Sequence, residues 1–326
     1  MRKITYREAI LEAQRIALDN DPAVFLFGEG VGGPSGVFKT TAGLKEEFGL
    51  RRVMDVPVCE NTLTGIAVGA ALAGMKPVLI HMFTDFMLMA MDQIVNHAAK
   101  YKYVFGGKTG VPLTIRAIIG GREGAGAQHS QPIQALLSHI PGLKVVMPSS
   151  AYDAKGLLLA SIADSSPVIF IEHSWLYDQE EPVPEGVYLL PLGKAVVKRS
   201  GRGITIVADS VMVPMALAAS SALDKEGIDA EVIDLRTVKP LDYETIRASV
   251  KKTHRACVLD FGYKCCGIGS EVAAFLAEEC FDSLKGPVIR IALPDIPLPA
   301  SPALEALYYP SVDEIITKVR GAFHRV

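Results

Sequence analysis

The feature that most constrains the fold of this chain is a regular alternation of short apolar runs with helical stretches. The first series of runs predicts strands, namely "VFLF", "RVMDV", "PVLIHM", "PLTIRAI", "LKVVMP" and "PVIFIEH". Between them, stretches such as "NTLTGIAVGAALAG" and "DFMLMAMDQIVNHAAK" predict helices, and a Thr5–Glu8 capping box begins an earlier one. Apolar strands separated by helices predict a parallel sheet covered on both faces, and hence an α/β fold.

A second series of the same kind follows, with "GITIVAD", "AEVIDL", "RACVLDF" and "PVIRIAL" as strands, and Ser311 is suited to cap a last helix from about Val312. The connecting segment is acidic and Pro-rich, then basic and Gly-rich, which is typical of a linker. A length of 326 residues also favours two cores. We therefore predict two domains at residues 1–180 and 203–326, joined by a linker at 181–202, each a mostly parallel sheet flanked by helices.

Composition excludes several classes of function. A formal net charge of −3 without a basic stripe gives no electrostatic case for nucleic-acid binding. Gly, Lys and Pro interrupt the longest apolar stretches, and no apolar segment follows the first basic residues, so we expect a cytoplasmic protein without a membrane span. The five cysteines form no C-x-x-C pair, and we expect them to be reduced and mostly in the core.

The stretch "AVFLFGEGVGG" matches a dinucleotide-binding pattern at Gly28, Gly30 and Gly33, with Asp55 as the acid further along. The pattern requires a helix start after the glycines, whereas the residues that follow are Pro-Ser-Gly, which favour a turn. Glu29 would also repel phosphates. A Gly-rich turn is the alternative, and it leaves open what Glu29 does.

Three polar or aromatic residues lie near the ends of apolar elements in the first half, where open α/β sheets bind ligands. Glu60 precedes a Gly/Ala-rich helix that we expect to be buried, so it is either a helix-start carboxylate or a desolvated proton-transfer group. His129 ends a long Gly-rich loop and is either solvated or positioned to titrate near a ligand. Phe86 belongs to a Met-rich helical face that is either core or the wall of a planar-ligand site.

Several long motifs recur in the order of one known family. The segments "VFLFGEGVG", "VPVCEN", "MFTDFMLMAMDQIVNHAAK", "GAQHSQ" and "EVIDLRTVKPLD" resemble the beta subunit of the thiamine-diphosphate-dependent component of 2-oxo acid dehydrogenase complexes, of pyruvate, branched-chain or acetoin type. This resemblance covers almost the whole chain. It implies a transketolase-like pyrimidine-binding domain followed by a transketolase C-terminal-like domain.

The resemblance also implies roles for single residues. Glu60 would hydrogen-bond the pyrimidine ring nitrogen of the cofactor and Phe86 would stack on that ring, while Glu29 and Val58 belong to the same cofactor-binding pocket. His129 would act near the reacting carbon, in handling intermediates or in acyl transfer to a lipoyl group. Cys59 stands where the family usually has Ser or Thr, a departure that bears on substrate choice more than on the reaction.

Other implications concern partners. No G-D-G motif is present for the cofactor's diphosphate and its Mg²⁺, so a separate alpha subunit would supply them in an α2β2 assembly, and the lone chain would be inactive. A lipoyl-bearing acyltransferase core would receive the product of a small 2-oxo acid or of acetoin, with the pyruvate and acetoin types favoured. Asp164 lies where family members often hold a monovalent cation, K⁺, with loop carbonyls.

Two alternatives stay open at this level. A split transketolase-like ketol transferase would need a basic phosphate clamp, for which Arg116 and Arg122 are the candidates. A non-catalytic subunit kept for assembly would not need Glu60, Phe86 or His129.

Overall fold

The computed structural model describes residues 2–120 and 124–324, which form three sheets. The strands are β1 (Arg2–Thr5), β2 (Val24–Gly28), β3 (Val53–Asp55), β4 (Lys76–His81), β5 (Thr114–Ile119), β6 (Lys144–Val146), β7 (Val168–His173), β8 (Glu180–Val183), β9 (Val196–Arg199), β10 (Ile204–Ala208), β11 (Ala230–Asp234), β12 (Thr237–Lys239), β13 (Ala256–Tyr263) and β14 (Ile289–Leu293).

The α-helices of the described residues alternate with these strands along most of the chain. They are α1 (Tyr6–Asn20), α2 (Leu44–Phe48), α3 (Glu60–Leu72), α4 (Thr84–Met87), α5 (Ala99–Val104), α6 (Gln134–Ser138), α7 (Ala151–Ala163), α8 (Met212–Asp224), α9 (Tyr243–Thr253), α10 (Ile268–Glu279), α11 (Pro302–Tyr308) and α12 (Val312–His324). Short 3-10 turns occur at Leu88–Ala90, Gly126–Gln128, Ser174–Leu176 and Phe281–Ser283, and a π-helical stretch at Gln93–Ala98.

The largest sheet has seven strands in the order β12-β6-β7-β5-β4-β2-β3, and the second has five in the order β14-β13-β10-β11-β9. Only the edge strands β12 and β9 pair antiparallel in these two sheets. Strands β2, β5 and β7 are buried at every residue, and successive side chains point to opposite faces, so both faces of the sheet are covered. The predicted α/β class with two mostly parallel sheets is confirmed.

Local signals at helix starts are also confirmed. The Thr5 hydroxyl accepts from the Glu8 amide at 3.3 Å, and the Glu8 carboxylate accepts from the Thr5 amide at 2.8 Å, which completes the capping box of α1. Ser311 Oγ accepts from the Glu314 amide at 3.1 Å, directly before α12 begins at Val312.

Strand β12 connects the two halves of the chain and was not predicted. It comes from the second half but pairs with β6 of the first sheet, and the Met147 amide donates to the Arg236 carbonyl at 2.8 Å beside it. Three residues are too few for a periodic signal. Strands β8 and β9 lie in or at the edge of the segment predicted as a linker, and β8 pairs with β1. The boundaries at 1–180, 181–202 and 203–326 stay a prediction.

Two sequence-based expectations are wrong. The stretch 85–100 does not form one regular α-helix, because its winding passes through 3-10 and π segments. The cysteines are free, as predicted, but only Cys257 and Cys280 are buried. Cys59, Cys265 and Cys266 are exposed, because they lie in loops after strands and not within them.

Candidate active site

The carboxyl ends of four neighbouring parallel strands define the candidate site. Strands β5, β4, β2 and β3 are adjacent in that order, and parallel strands end at the same edge of a sheet. The segments after these strands carry, in the same order, His129, Phe86, Glu29 and Glu60, with Val58 just ahead of Glu60. The topology thus places all the predicted cofactor-pocket residues along one edge.

After β2 the chain turns instead of starting a helix. Gly28 has φ +156°, and a Cβ there would lie 2.3 Å from the Ile80 carbonyl oxygen, so the close approach of β4 requires glycine. The Gly30 amide donates to Asp55 Oδ1 at 2.8 Å, and no helix forms before α2. The dinucleotide interpretation is therefore wrong, because Asp55, the acid that the pattern requires, accepts a hydrogen bond from the turn and stabilises it. Glu29 is exposed on this turn.

Glu60 is the first residue of α3 and is partly exposed. A carboxylate at this position is favoured by the helix dipole. The Thr64 hydroxyl donates to the Glu60 carbonyl at 2.8 Å and lies 3.1 Å from His81 Nε2 at the end of β4. Burial lowers the pKa of His81 to about 4, so this imidazole is neutral near pH 7 and supports the start of α3 from below. Sequence analysis missed His81 and Thr64.

Helix α3 is less buried than its composition predicts. Ile66 is 54 % exposed, and Val58, just ahead of the helix, is 60 % exposed. Leu88 and Met89 on the neighbouring helical stretch are exposed as well. One face of α3 packs on β4 and on that stretch, and no element of the described residues covers the other. An apolar composition predicts that a helix is buried but does not identify the chain that covers it. Here the protein's own chain leaves this face of α3 exposed.

Phe86 and His129 meet although they are far apart in the sequence. Their ring centroids are 5.2 Å apart at 88°, and Phe83 lies 5.3 Å from the His129 ring at 77°. Both Phe86 and His129 are partly exposed. The site therefore offers an aromatic face next to an imidazole at the sheet edge.

A polar clamp fixes the loop that carries His129. Asp85 Oδ1 accepts from the Gln131 amide at 3.2 Å and from Gln131 Nε2 at 2.9 Å, while Thr84 Oγ1 donates to the Gln131 carbonyl at 2.7 Å. Asp85 and Thr84 are buried. The clamp joins the segment after β4 to the segment after β5, and thereby sets the position of His129 relative to Phe86. Sequence analysis missed it, although two polar residues that open an apolar helix are a usable signal.

Arg116 does not lie at the mouth of this site. It is fully buried, pairs with Glu172 at 2.5 Å, and donates to Gln14 Oε1 at 2.6 Å and Thr40 Oγ1 at 2.9 Å. The prediction that Arg116 is a phosphate clamp is wrong, because its guanidinium is buried and bonded to side chains of the core between β5, β7 and α1. Arg122, the other candidate, lies outside the described residues.

Asp164 is engaged by its own chain. Its carboxylate forms an ion pair with Lys144 and accepts from the Ser166 amide at 2.8 Å. Lys102 Nζ donates to the hydroxyls of Ser165 and Ser166 nearby. Two ammonium groups around this turn do not fit a cation on the Asp164 side chain. That main-chain carbonyls of this turn hold a monovalent cation stays a prediction.

Neither a metal-binding cluster nor a membrane-spanning helix occurs among the residues that the structure describes. Within 2–120 and 124–324, no three His, Cys, Asp or Glu side chains are grouped so that they could hold a metal ion. In the same ranges, no helix has both the length and the hydropathy needed to cross a membrane.

Comparison with known proteins first gives the class. Residues 2–179 match the family described as the transketolase pyrimidine binding domain, and residues 193–315 match the transketolase C-terminal domain. A solved structure described as a split gene transketolase, an inactive beta4 tetramer, has the same fold, with a TM-score of 0.80 at 24 % identity over 98 % of each chain. The chain is thus a two-domain protein of the transketolase type.

Closer relatives give the family. The chain is 44 % identical to the mitochondrial pyruvate dehydrogenase E1 component subunit beta-2 of Oryza sativa subsp. japonica, over 99 % of this chain and 87 % of that one. It is 44 % identical to the acetoin:2,6-dichlorophenolindophenol oxidoreductase subunit beta of Cupriavidus necator, over 98 % and 97 % respectively. The chain belongs to the family of these pyruvate dehydrogenase E1 and acetoin oxidoreductase beta subunits, as the sequence motifs predicted.

Proposed function

We propose that this chain is the beta half of a thiamine-diphosphate-dependent dehydrogenase that acts on a small 2-oxo acid or on acetoin. Family membership supports the cofactor and a multi-subunit enzyme. The observation that carries the proposal is the meeting of Phe86 and His129 at the sheet edge where Glu60 begins α3. In the proposed reaction Phe86 would stack on the cofactor, Glu60 would transfer a proton at the cofactor, and His129 would act at the substrate.

The residues present fit the aminopyrimidine half of the cofactor. The Phe86 ring is partly exposed and can stack on a planar ligand, and the partly exposed Glu60 carboxylate can hydrogen-bond a ring nitrogen. They do not fit the diphosphate, because Glu29, Asp55 and Glu60 all place negative charge at this edge. This supports a diphosphate and Mg²⁺ site on an alpha subunit.

The exposed apolar residues beside the site support the same division. Val58 and Ile66 near Glu60, and Met89 near Phe86, are all more than half exposed in the single chain. An alpha subunit that covers them would exclude water from Glu60 and strengthen electrostatic interactions there. An α2β2 assembly of this kind explains why one face of so apolar a helix is left uncovered by its own chain.

In the proposed mechanism each residue has a distinct task. Bound thiamine diphosphate supplies the electron sink for cleavage next to a carbonyl carbon. The Glu60 carboxyl would hold a proton at the pyrimidine nitrogen, as a positioned general acid and base. Phe86 would orient the ring, and Glu29 and Val58 would line the pocket. His129, fixed through the Asp85 clamp, would exchange protons near the reacting carbon or assist acyl transfer to the lipoyl group of an acyltransferase core.

The alternatives receive less support. A split transketolase needs a basic clamp, and Arg116 is buried in an ion pair with Glu172. No observation favours a subunit kept for assembly alone. Among the relatives are mitochondrial and bacterial proteins, and the expected cytoplasmic location of this chain stays a prediction.

The test is calorimetric titration of thiamine diphosphate and Mg²⁺ into this chain alone and into its complex with the alpha subunit. Binding is expected only to the complex, and tight binding to the lone chain would contradict a shared site. Glu60→Gln is expected to leave assembly intact and to lower turnover by about 10²–10⁴-fold, the usual contribution of a general acid or base. Glu46→Gln, at an exposed position of α2, is the matched control. Near-normal turnover of the Glu60 variant would refute its role and favour an assembly subunit.

A further inference from the structure

Two adjacent cysteines outside the candidate active site form a close pair of exposed thiols. Cys265 and Cys266 lie in the loop between β13 and α10, at the carboxyl edge of the second sheet. Both are exposed and free, and the Cys265 thiol points at the Cys266 sulfur with 3.8 Å between the sulfur atoms. Neither thiol is used in the proposed reaction.

The loop conformation brings the two sulfurs together. In an extended chain, consecutive side chains point to opposite sides. Here Cys266 has φ +53°, a left-handed conformation that is uncommon for a residue with a side chain. The turn is tight, because a Cβ on Gly267 would lie 2.3 Å from the Tyr263 carbonyl oxygen. The convergence of the sulfurs therefore follows from the backbone of this loop.

The thiols of Cys265 and Cys266 line a cavity with a volume of about 870 Å³. Its walls come from both halves of the chain, including Leu136 and His139 of the first and Pro240 and Tyr263 of the second. The apolar part of this lining can accommodate a hydrophobic group carried by a molecule bound to the sulfurs. The pair is thus accessible and lies against a space large enough for a small ligand.

Geometry distinguishes among the reactions open to such a pair. A disulfide normally joins residues whose Cα atoms are about 4.4–6.8 Å apart, whereas adjacent residues across a trans peptide are about 3.8 Å apart, so closing a disulfide would distort the loop. A structural zinc site needs four ligands, and the described residues provide no third His, Cys, Asp or Glu beside these two. The pair of thiols therefore suits a ligand whose reactive atom forms two bonds to sulfur and already carries a third substituent.

We propose that Cys265 and Cys266 form a bidentate binding site for thiophilic electrophiles with two exchangeable positions, the class of the monosubstituted trivalent arsenicals. In the reaction, two As–S bonds form, the bonds from arsenic to oxygen break, and both thiol protons leave with that oxygen as water. Arsenic stays trivalent and the sulfurs keep their oxidation state, so neither oxidant nor reductant is required. The hydrogen bond to Cys266 raises the pKa of the Cys265 thiol, which therefore still carries its proton near neutral pH.

The test uses phenylarsine oxide and the reduced full-length chain. Intact-mass analysis is expected to show one equivalent bound, with two fewer thiols open to a colorimetric thiol reagent. A small 1,2-dithiol should release the arsenical, whereas a monothiol should not. Hydrogen exchange in α6 is expected to slow, because the phenyl group would enter the cavity that α6 helps to line.

Single substitutions locate the site. Cys265→Ser and Cys266→Ser are each expected to weaken binding by about 100-fold or more, because the second bond forms at a high effective concentration only when both sulfurs are present. Cys59→Ser is the matched control, since Cys59 is exposed and its thiol donates to the Thr62 hydroxyl at 3.1 Å instead of pointing at another sulfur, and this variant should bind as tightly as the wild type. Wild-type affinity in either Cys265→Ser or Cys266→Ser, or no capture by the wild-type chain while both thiols react with the reagent, would overturn the proposal.

Discussion

Replacement of Asp85 by alanine removes the main clamp on the His129 loop. Asp85 Oδ1 accepts two hydrogen bonds from Gln131, of 3.2 and 2.9 Å, and the Thr84 hydroxyl provides the other contact at 2.7 Å. A hydrogen bond to a charged group contributes about 1.5–3 kcal/mol. The expected loss of free energy is about 2 kcal/mol, less than two such bonds would give, because both donors share one oxygen and the Thr84 contact is retained. The substitution also removes Asp85 Oδ2, a buried oxygen without a hydrogen-bond partner, which lowers the loss further.

This loss of free energy destabilises the ordered conformation of the His129 loop and leaves the ligand-binding residues themselves unchanged. If it appears fully in the rate, turnover decreases about 30-fold, since about 1.4 kcal/mol corresponds to a factor of ten. Thiamine diphosphate affinity of the assembled enzyme should change little, because Glu60 and Phe86 remain. The assays are dye-linked oxidation of 2-oxo acids and acetoin by the complex, calorimetry with the cofactor, and hydrogen exchange of residues 124–131.

The matched control is Asp92→Ala, which removes an exposed carboxylate of the same helical stretch that bonds Asn96 at 2.7 Å. It is expected to leave both the rate and the exchange of the loop unchanged. Faster exchange with a wild-type rate in Asp85→Ala would show that loop order does not position His129 for the reaction. Unchanged exchange would show that the clamp does not hold the loop.

Three further predictions concern the core and the site. Arg116→Met should lower the free energy of unfolding in urea by about 3–5 kcal/mol, because it leaves Glu172 buried without its cation, and a loss below 1 kcal/mol would contradict this. His81 has its folded pKa lowered to about 4, so the unfolded chain binds more protons below about pH 6.5. His81 should therefore contribute a fall in stability of up to about 1.4 kcal/mol per pH unit as the pH decreases from about 6.5 to 4, and His81→Gln should remove that contribution in urea titrations at several pH values. The part of the slope that comes from the buried His173, whose pKa is lowered to about 3, should remain in this variant, and an unchanged total slope would contradict the prediction. His129→Ala should reduce lipoyl-linked turnover far more than cofactor affinity, and a large fall in that affinity would argue against its assigned role.

The local signals in the sequence were sufficient for the fold class. Strands such as β2 and β5 appear as unbroken apolar runs because helices cover both faces of their sheet. The Thr5–Glu8 capping box involves groups three residues apart, so it forms wherever that short segment becomes helical. Strand β12 escaped prediction because its pairing partner β6 is distant and three residues carry no period.

For the site, the sequence indicated which residues matter but not how they are held. Parallel topology alone places Glu29, Glu60, Phe86 and His129 at one sheet edge, and the strand pattern is enough to infer this. The burial expected around Glu60 was wrong for the single chain, because apolar composition does not identify the covering surface.

What the sequence by itself determined is therefore the alternation of strands and helices, their capping, and the set of polar residues at strand ends. These depend on periodicity and on hydrogen bonds between near neighbours. Only the tertiary structure decided that Asp85 holds Gln131 across 46 positions, that Arg116 bonds Glu172 across 56, and that two adjacent cysteines face one cavity. Such pairings are set when whole elements pack, because a side chain's partner depends on which distant surface is brought against it and not on the residues next to it.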